Sequence, residues 1–337
     1  MEYEKEVKRI IDMAKSEKTK ILAVGGPTAS GKSALALELA RRLDGEIVSC
    51  DSMQIYRGMN IGTAKPTAEE MGGIPHHMID ISEPDVDYSA ADYAEGAGKA
   101  IENITSRGKI AIICGGTGMY LDALLRPTSF SEAEGGTDSS DEIRRELTEF
   151  AASHGNEALH ERLREVDPES ADNIHPNNVK RVIRALEIYL VTGVTKTESD
   201  KKTLAGESPY DCAVITLDYE DRNILYDRIN RRVDAMVEDG HLAETDELYR
   251  SGKLKDGTTA YQAIGYKELL LHLRDGLPLE LAIETLKKNT RNYAKRQITW
   301  FKRYNGISIV PDKGGNMRTV SELADEVIAK LNDLNQL

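Results

Sequence analysis

The chain has few cysteines: Cys50, Cys114 and Cys212 are the only three in 337 residues, and none falls in a C-x-x-C or Cys/His spacing. An odd number of thiols, each in or beside an apolar strand-like stretch, excludes a disulfide framework and predicts reduced, mostly buried side chains in a cytoplasmic protein. The histidines, His76 and His77 included, also lack metal-ligand spacing, so no zinc site is expected. No apolar run approaches the length of a membrane span, and Met1 to Lys20 is too charged for a signal peptide. Internal repeats and low-complexity tracts are absent as well. The net charge is −13, which argues against a nucleic-acid partner, yet Asp and Glu are missing altogether from Thr285 to Pro311. That window contains Lys287, Lys288, Arg291, Lys295, Arg296, Lys302 and Arg303. An acidic chain with one purely basic stretch has reserved it for an anion.

What is present is led by residues Gly26, Pro27, Thr28, Ala29, Ser30, Gly31, Lys32 and Ser33, which satisfy G-x-x-x-x-G-K-[ST]. They lie between the apolar run Ile21-Leu22-Ala23-Val24 and a helical pattern from Leu35 to Leu43. Strand, loop and helix in that order make a phosphate-binding loop. Small residues let successive N–H groups turn around phosphate oxygens, the helix adds its positive end, Lys32 adds a cation, and Ser33 offers a hydroxyl to Mg²⁺.

Glu46 to Cys50 reads as a second buried strand and Lys109 to Cys114 as a third, with a helix opening at Ser89-Ala90-Ala91-Asp92 between them. Strand–helix alternation predicts an α/β fold, a P-loop NTPase-like parallel sheet with flanking helices. After Leu125 the pattern changes. Pro127 to Ser140 reads as loop, and Glu142–His154, Glu157–Val166 and Asn177–Val191 read as helices with no strand among them. Val214 to Leu217 returns to the sheet. The expected organisation is a discontinuous core, 1–126 and 205–337, around an all-helical insertion, 127–204. Met1 to Lys18 reads as a short accessory helix, and Asn60 to Asp87 as loop.

Phosphate-loop enzymes that hydrolyse triphosphates usually carry an apolar strand ending in Asp. Here the third strand ends in Gly115-Gly116-Thr117-Gly118. A motor or switch ATPase is therefore disfavoured, leaving a kinase or an enzyme that expels diphosphate. Asp51 ends the second strand, where it serves as general base, as a partner of Mg²⁺, or as a cap for the next turn through Ser52. Thr117 brings a hydroxyl to the same edge. Arg228 and Arg232 stand one helical turn apart, either facing a diphosphate or pairing with Asp227 and Asp234 on a solvated face. Lys180, Arg181 and Arg184 open an insertion helix and, with the basic C-terminal window, suit a nucleic-acid backbone.

These residues fall in longer stretches: DSMQIYRGMNIGTAKP (51–66), PHHMID (75–80), YSAADY (88–93), GGTGMY (115–120), IHPNNVKRVIRALE (174–187), AIGYKE (263–268) and AKRQITWFKR (294–303). Together with GPTASGKS they resemble the bacterial tRNA dimethylallyltransferases, also called tRNA isopentenyltransferases, from about Ile21 to Arg303. The resemblance implies transfer of a dimethylallyl group from dimethylallyl diphosphate to N6 of adenosine 37 in tRNAs reading codons that begin with U. It implies a diphosphate held with Mg²⁺ by 26–33, and Asp51 as acceptor of the N6 proton. Ser52, Met53 and Gln54 would surround the flipped adenine. Thr117, Arg144, Lys180, Arg181, Val182, Ile183, Arg184, Gln262, Ala263, Ile264, Gly265, Tyr266 and Lys267 carry over as tRNA-contacting positions. Ser33 stands where Thr is commoner. A tRNA anticodon stem-loop is the expected partner, and a monomer the expected state. The alternative is an adenylate isopentenyltransferase acting on free AMP, ADP or ATP; the helical insertion and the basic segment favour RNA, since a free nucleotide needs neither.

Overall fold

In the computed structural model the described residues are 18–126, 138–205 and 207–334. All but Lys18 of the expected N-terminal helix, and residues 127–137 of the expected loop, lie outside them. The chain divides into two compact units. The first comprises the residues up to Tyr88, Asp92–Leu121 and Tyr210 onward; the second comprises Ser89–Ala91 and Asp122–Pro209.

The first unit is built on a parallel sheet of six strands among the described residues: β1 (Thr19–Gly25), β2 (Gly45–Ser49), β3 (His76–His77), β4 (Ile110–Gly115), β5 (Tyr210–Leu217) and β6 (Ile307–Ile309). Their order is β3-β2-β4-β1-β5-β6. Strand β1 is central, with Ile21 opposite Ala111 of β4 and Cys212 of β5. From Ile21 to Gly25 it is apolar and buried, because a parallel strand is covered on both faces. Helix α1 (Lys32–Leu43) covers one face. Leu35, Ala36, Leu39 and Ala40 of that helix join Val24, Ile47, Ile112 and Ile215 of the sheet in a single buried cluster. The C-terminal helix contributes Leu323, Ala324, Val327 and Ile328 to the same cluster. The links from β1 to α1 and from α1 to β2 turn on Gly31 and Asp44, both left-handed.

The chain continues with α2 (Ala68–Met71), α3 (Ala90–Ser106) and α4 (Gly118–Leu125). Residues expected as loop between Asn60 and Asp87 thus include a short capped helix and the edge strand β3, whose His76 and His77 pair with Ile47 and Val48. Two half-buried histidines carry no strand pattern of their own, and only the sheet neighbour makes them a strand.

The second unit is helical: α5 (Asp138–His154), α6 (Asn156–Val166), α7 (Pro168–Asn173), α8 (Val179–Thr192) and α9 (Lys196–Ala205). Helix α5 begins four residues before the sequence pattern placed it, so 138–140 are helix rather than loop. Leu147, Leu159, Leu163, Val182 and Leu186 form its core. Helix α7 follows from a cap: Asp167 accepts the Ser170 N–H at 3.1 Å and Pro168 takes the first helical position.

Back in the first unit come α10 (Arg222–Glu238), α11 (His241–Arg250), α12 (Tyr266–Asp275), α13 (Leu279–Phe301) and, after β6, α14 (Val320–Leu334). The loops after β1, β2 and β4 all leave the C-terminal edge of the sheet, where ligands bind in such folds.

Candidate active site

At the end of β1, Gly26 and Gly31 take positive φ values of 149° and 94°, and Ala29 joins them at 61°. These conformations coil the loop so that α1 starts at Lys32 with no side chain capping its N–H groups. Those groups and the helix dipole favour an anion there. The loop is held from outside by three side chains. Tyr219 donates its O–H to Ser30 O at 3.0 Å, Arg228 donates Nε–H to Ala29 O at 2.9 Å, and Gln297 accepts the Thr28 N–H at 2.8 Å. Lys32 Nζ donates to Pro27 O at 3.2 Å.

A cavity of about 350 Å³ opens onto this loop, lined by Ser30, Gly31, Lys32 and Ser33 on one wall and Arg228, Arg231 and Arg232 on the other. Helix α10 supplies the arginine wall. The two carboxylates of the solvated-face alternative are paired with other cations: Asp227 with Arg231, and Asp234 with Lys287 at 2.8 Å. Burial lowers the Lys32 ammonium from its ordinary value, and the nearby Arg232 charge pushes the same way. Burial also lowers Arg232, opposed by the charge of Asp51. Crowded, part-desolvated cations of this kind gain most from an incoming polyanion.

A second cavity of about 300 Å³ adjoins the first, with Ala29 and Arg232 lining both. Asp51, Ser52 and Met53 stand on one side of it, Ile229, Val233 and Met236 on another, and Gln262, Ala263, Ile264 and Lys267 on a third. Asp51 also caps the following turn, as its Oδ1 accepts the Met53 N–H at 2.9 Å. Thr117 is buried: its Oγ1 accepts the Ser52 N–H at 3.0 Å and its own N–H reaches Cys50 O at 3.1 Å. So the threonine braces the Asp51 loop. Tyr293 lines the cavity too, its phenol pushed up to about 12 by burial and by the adjacent Asp51 charge.

Other expected positions are placed differently. Gln54 faces a third cavity beside Ser33 and donates to Thr63 O and Ala64 O, both at 3.3 Å. Gly265 and Tyr266 are buried behind the cavity wall, the tyrosine O–H donating to Glu244 at 2.6 Å. In the second unit, Lys180 and Arg181 are exposed, while Val182 and Ile183 belong to its core. That corrects the expected contact segment, because a core side chain has no surface to offer. Arg144 and Arg184 converge on the buried Glu187, at 2.8 and 3.0 Å.

Several residues that matter here carry no sequence signal of their own. Glu244 accepts the N–H groups of Asn60, Ile61 and Gly62 at 2.9, 2.8 and 3.0 Å and so shapes the loop that edges the second cavity. His241, 1% exposed, lines that cavity and is held down to about 4 by burial. Gln297 would be found only by knowing that α13 crosses the loops after β1 and β4.

No cluster of three or more His, Cys, Asp or Glu suited to a metal occurs among the described residues. The donors at the loop are the hydroxyl of Ser33, which lines the first cavity, and that of Ser30, which is buried without a partner. An oxygen-only set this sparse fits Mg²⁺, which takes most of its ligands from phosphate oxygens and water.

The family model described as IPP transferase matches residues 54–304. A tRNA dimethylallyltransferase from Thermoanaerobacter sp. (strain X514) is 49% identical over 288 residues, 85% of this chain and 90% of that protein. One from Halalkalibacterium halodurans is 49% identical over 291 residues, covering 86% and 90%. Among solved structures, the tRNA delta(2)-isopentenylpyrophosphate transferase of Staphylococcus epidermidis matches with a TM-score of 0.67 at 42% identity, over 94% of this chain and 100% of that one. A eukaryotic dimethylallyltransferase acting on tRNA matches with a TM-score of 0.71 at 31% identity, over 87% and 74%. With its phosphate loop, its Asp51 cavity and these likenesses over most of its length, the chain belongs to the IPP transferase family.

Proposed function

We propose that this protein transfers a dimethylallyl group from dimethylallyl diphosphate to N6 of adenosine 37 in tRNA, releasing diphosphate. The observation that carries the reading is the junction of two cavities at Ala29 and Arg232, one walled by cations and helix N–H groups, the other holding a carboxylate among apolar side chains. A polyanion and a neutral reacting centre are thereby held side by side.

The chemistry follows from those groups. An adenine amine is a weak nucleophile, so the step depends on a stabilised leaving group. Lys32, Arg228, Arg232 and the first N–H groups of α1 hold the diphosphate while the bond from its oxygen to the allylic carbon breaks. The new bond forms between that carbon and N6, and Asp51 accepts the proton N6 gives up. Mg²⁺, held by Ser33 and the donor's own oxygens, supplies further charge neutralisation when bound. Ile229, Val233 and Met236 keep water from the allylic centre. The adenine must leave its stack to reach Asp51, and Ser52 and Met53, which line the same cavity, are the side chains it would meet there. Lys180, Arg181 and the exposed Lys288, Lys295, Lys302 and Arg303 of the basic window serve the RNA backbone. The relatives' names favour tRNA over a free nucleotide as acceptor.

The test is direct. Protein is incubated with labelled dimethylallyl diphosphate and either unmodified tRNA or AMP. Label on N6 of adenosine 37 supports the reading; label on AMP alone overturns the acceptor, and no label on either overturns the transfer.

A further inference from the structure

Helix α13 approaches the sheet edge along one face, and three glycines make room for it. A Cβ on Gly25 would lie 2.2 Å from Phe301, one on Gly116 2.1 Å from Gln297, and one on Gly118 2.1 Å from Trp300. Close seating brings the carboxamide of Gln297, 4% exposed, between two loops that are far apart in sequence. Its Oε1 accepts the Thr28 N–H of the phosphate loop at 2.8 Å, and its Nε2 donates to Gly116 O at 2.9 Å. Opposite polarity of the two partners fixes the orientation of the amide.

Each end of this bridge leads to one half of the reaction. Thr28 sits inside the loop that surrounds the diphosphate. Gly116 precedes Thr117, whose N–H holds Cys50 O and whose hydroxyl holds the Ser52 N–H, on either side of Asp51. The path from donor loop to proton acceptor is therefore Thr28, Gln297, Gly116, Thr117 and the turn at Asp51. We propose that Gln297 is a positioning residue that keeps the diphosphate loop and the Asp51 loop in register, so that the allylic carbon and the acceptor amine meet at bonding distance. The proposal rests on the transfer reaction proposed above. The side chain lines neither cavity, and only an amide of this length supplies an acceptor to one loop and a donor to the other: glutamate lacks the donor and methionine lacks both.

Two variants, Gln297→Glu and Gln297→Met, are compared with wild type in single-turnover transfer at saturating donor and tRNA. Binding of inorganic diphosphate and of tRNA is measured separately, and the folded fraction is taken from thermal unfolding. Since misplacement by about 1 Å costs roughly 10²-fold in rate, the expected result is a fall of that order per folded molecule, with both affinities within about threefold of wild type. A rate within about threefold of wild type in both variants overturns the proposal. So does a loss of diphosphate or tRNA affinity that matches the loss of rate, which marks a merely structural role. Hydrogen exchange at the Thr28 amide of the wild-type protein without ligand covers variants that do not fold. Slow exchange supports the bridge, and exchange at the rate of an open loop amide refutes it. A wild-type control that fails to prenylate tRNA counts against the proposed reaction and leaves the exchange result to decide the bridge.

Discussion

Replacing Asp51 by Asn tests the proposed proton transfer apart from everything else the residue does. The amide keeps the volume and retains an oxygen to accept the Met53 N–H, a contact of 2.9 Å in the native protein. The turn that follows β2 should therefore survive, and the thermal midpoint should change little. The charge is what disappears. A positioned general base contributes about 10²–10⁴-fold, which corresponds to roughly 3–5 kcal/mol of barrier. Asp51 also opposes the burial of Arg232, so its neutralisation leaves the arginine wall with more uncompensated positive charge. Donor affinity is expected to hold or rise slightly while the chemical step slows. Rapid-quench single turnover with labelled dimethylallyl diphosphate and tRNA, both saturating, reads that step; direct binding of the donor reads the other. A single-turnover rate within about fivefold of wild type, or donor binding that collapses in parallel with the rate, would refute a general-base role for Asp51.

Two further outcomes follow from the same structure. Glu46, 1% exposed at the start of β2, is held down to about 2 by its hydrogen bonds to Arg107, with His77 adding a further contact. A depressed carboxyl contributes stability above its ordinary value of 4.5 that is lost as the pH falls toward 2. Glu46→Gln should flatten the acid limb of a stability–pH curve and cost about 3 kcal/mol at neutral pH; an unchanged acid limb would show the cluster to be idle. Lys180 and Arg181 are exposed on α8, so Lys180→Ala and Arg181→Ala should each reduce the slope of log affinity for tRNA against log salt by about 0.7–0.9, and unchanged slopes would remove them from the RNA contact.

The legibility of the fold in the sequence tracks how local its causes are. The phosphate loop, the apolar strands flanking it and the final helix are specified by neighbours a few residues apart, and the structure has them where the pattern put them. Helix α7 was not predicted: its signal, the cap at Asp167 and Pro168, is local, but its six residues are too few for periodicity to register. Helix α9 is polar along most of its length and offered no apolar stripe. At the site, Lys32, Asp51 and Thr117 could be named because motif and strand-end position pointed to them, and Arg228 and Arg232 because they stand one helical turn apart, with a solvated face as the alternative. Gln297 and Glu244 could not, since each acts on backbone groups more than 180 residues away in the chain. Val182 and Ile183 show the converse: they sit among basic residues, yet helical spacing turns them into the core.

In the proposed reaction the donor's diphosphate occupies the cavity between the glycine loop and the arginines of α10, with its allylic carbon facing Asp51. A crystal structure with a thio-analogue of dimethylallyl diphosphate tests this most directly. Its anionic head should lie within hydrogen-bonding distance of the Lys32 and Ser33 N–H groups and of Lys32 Nζ, and its hydrocarbon tail should enter the cavity lined by Ile229, Val233 and Met236. A head bound away from Gly31, Lys32 and Ser33, or a tail directed away from Asp51, would contradict it.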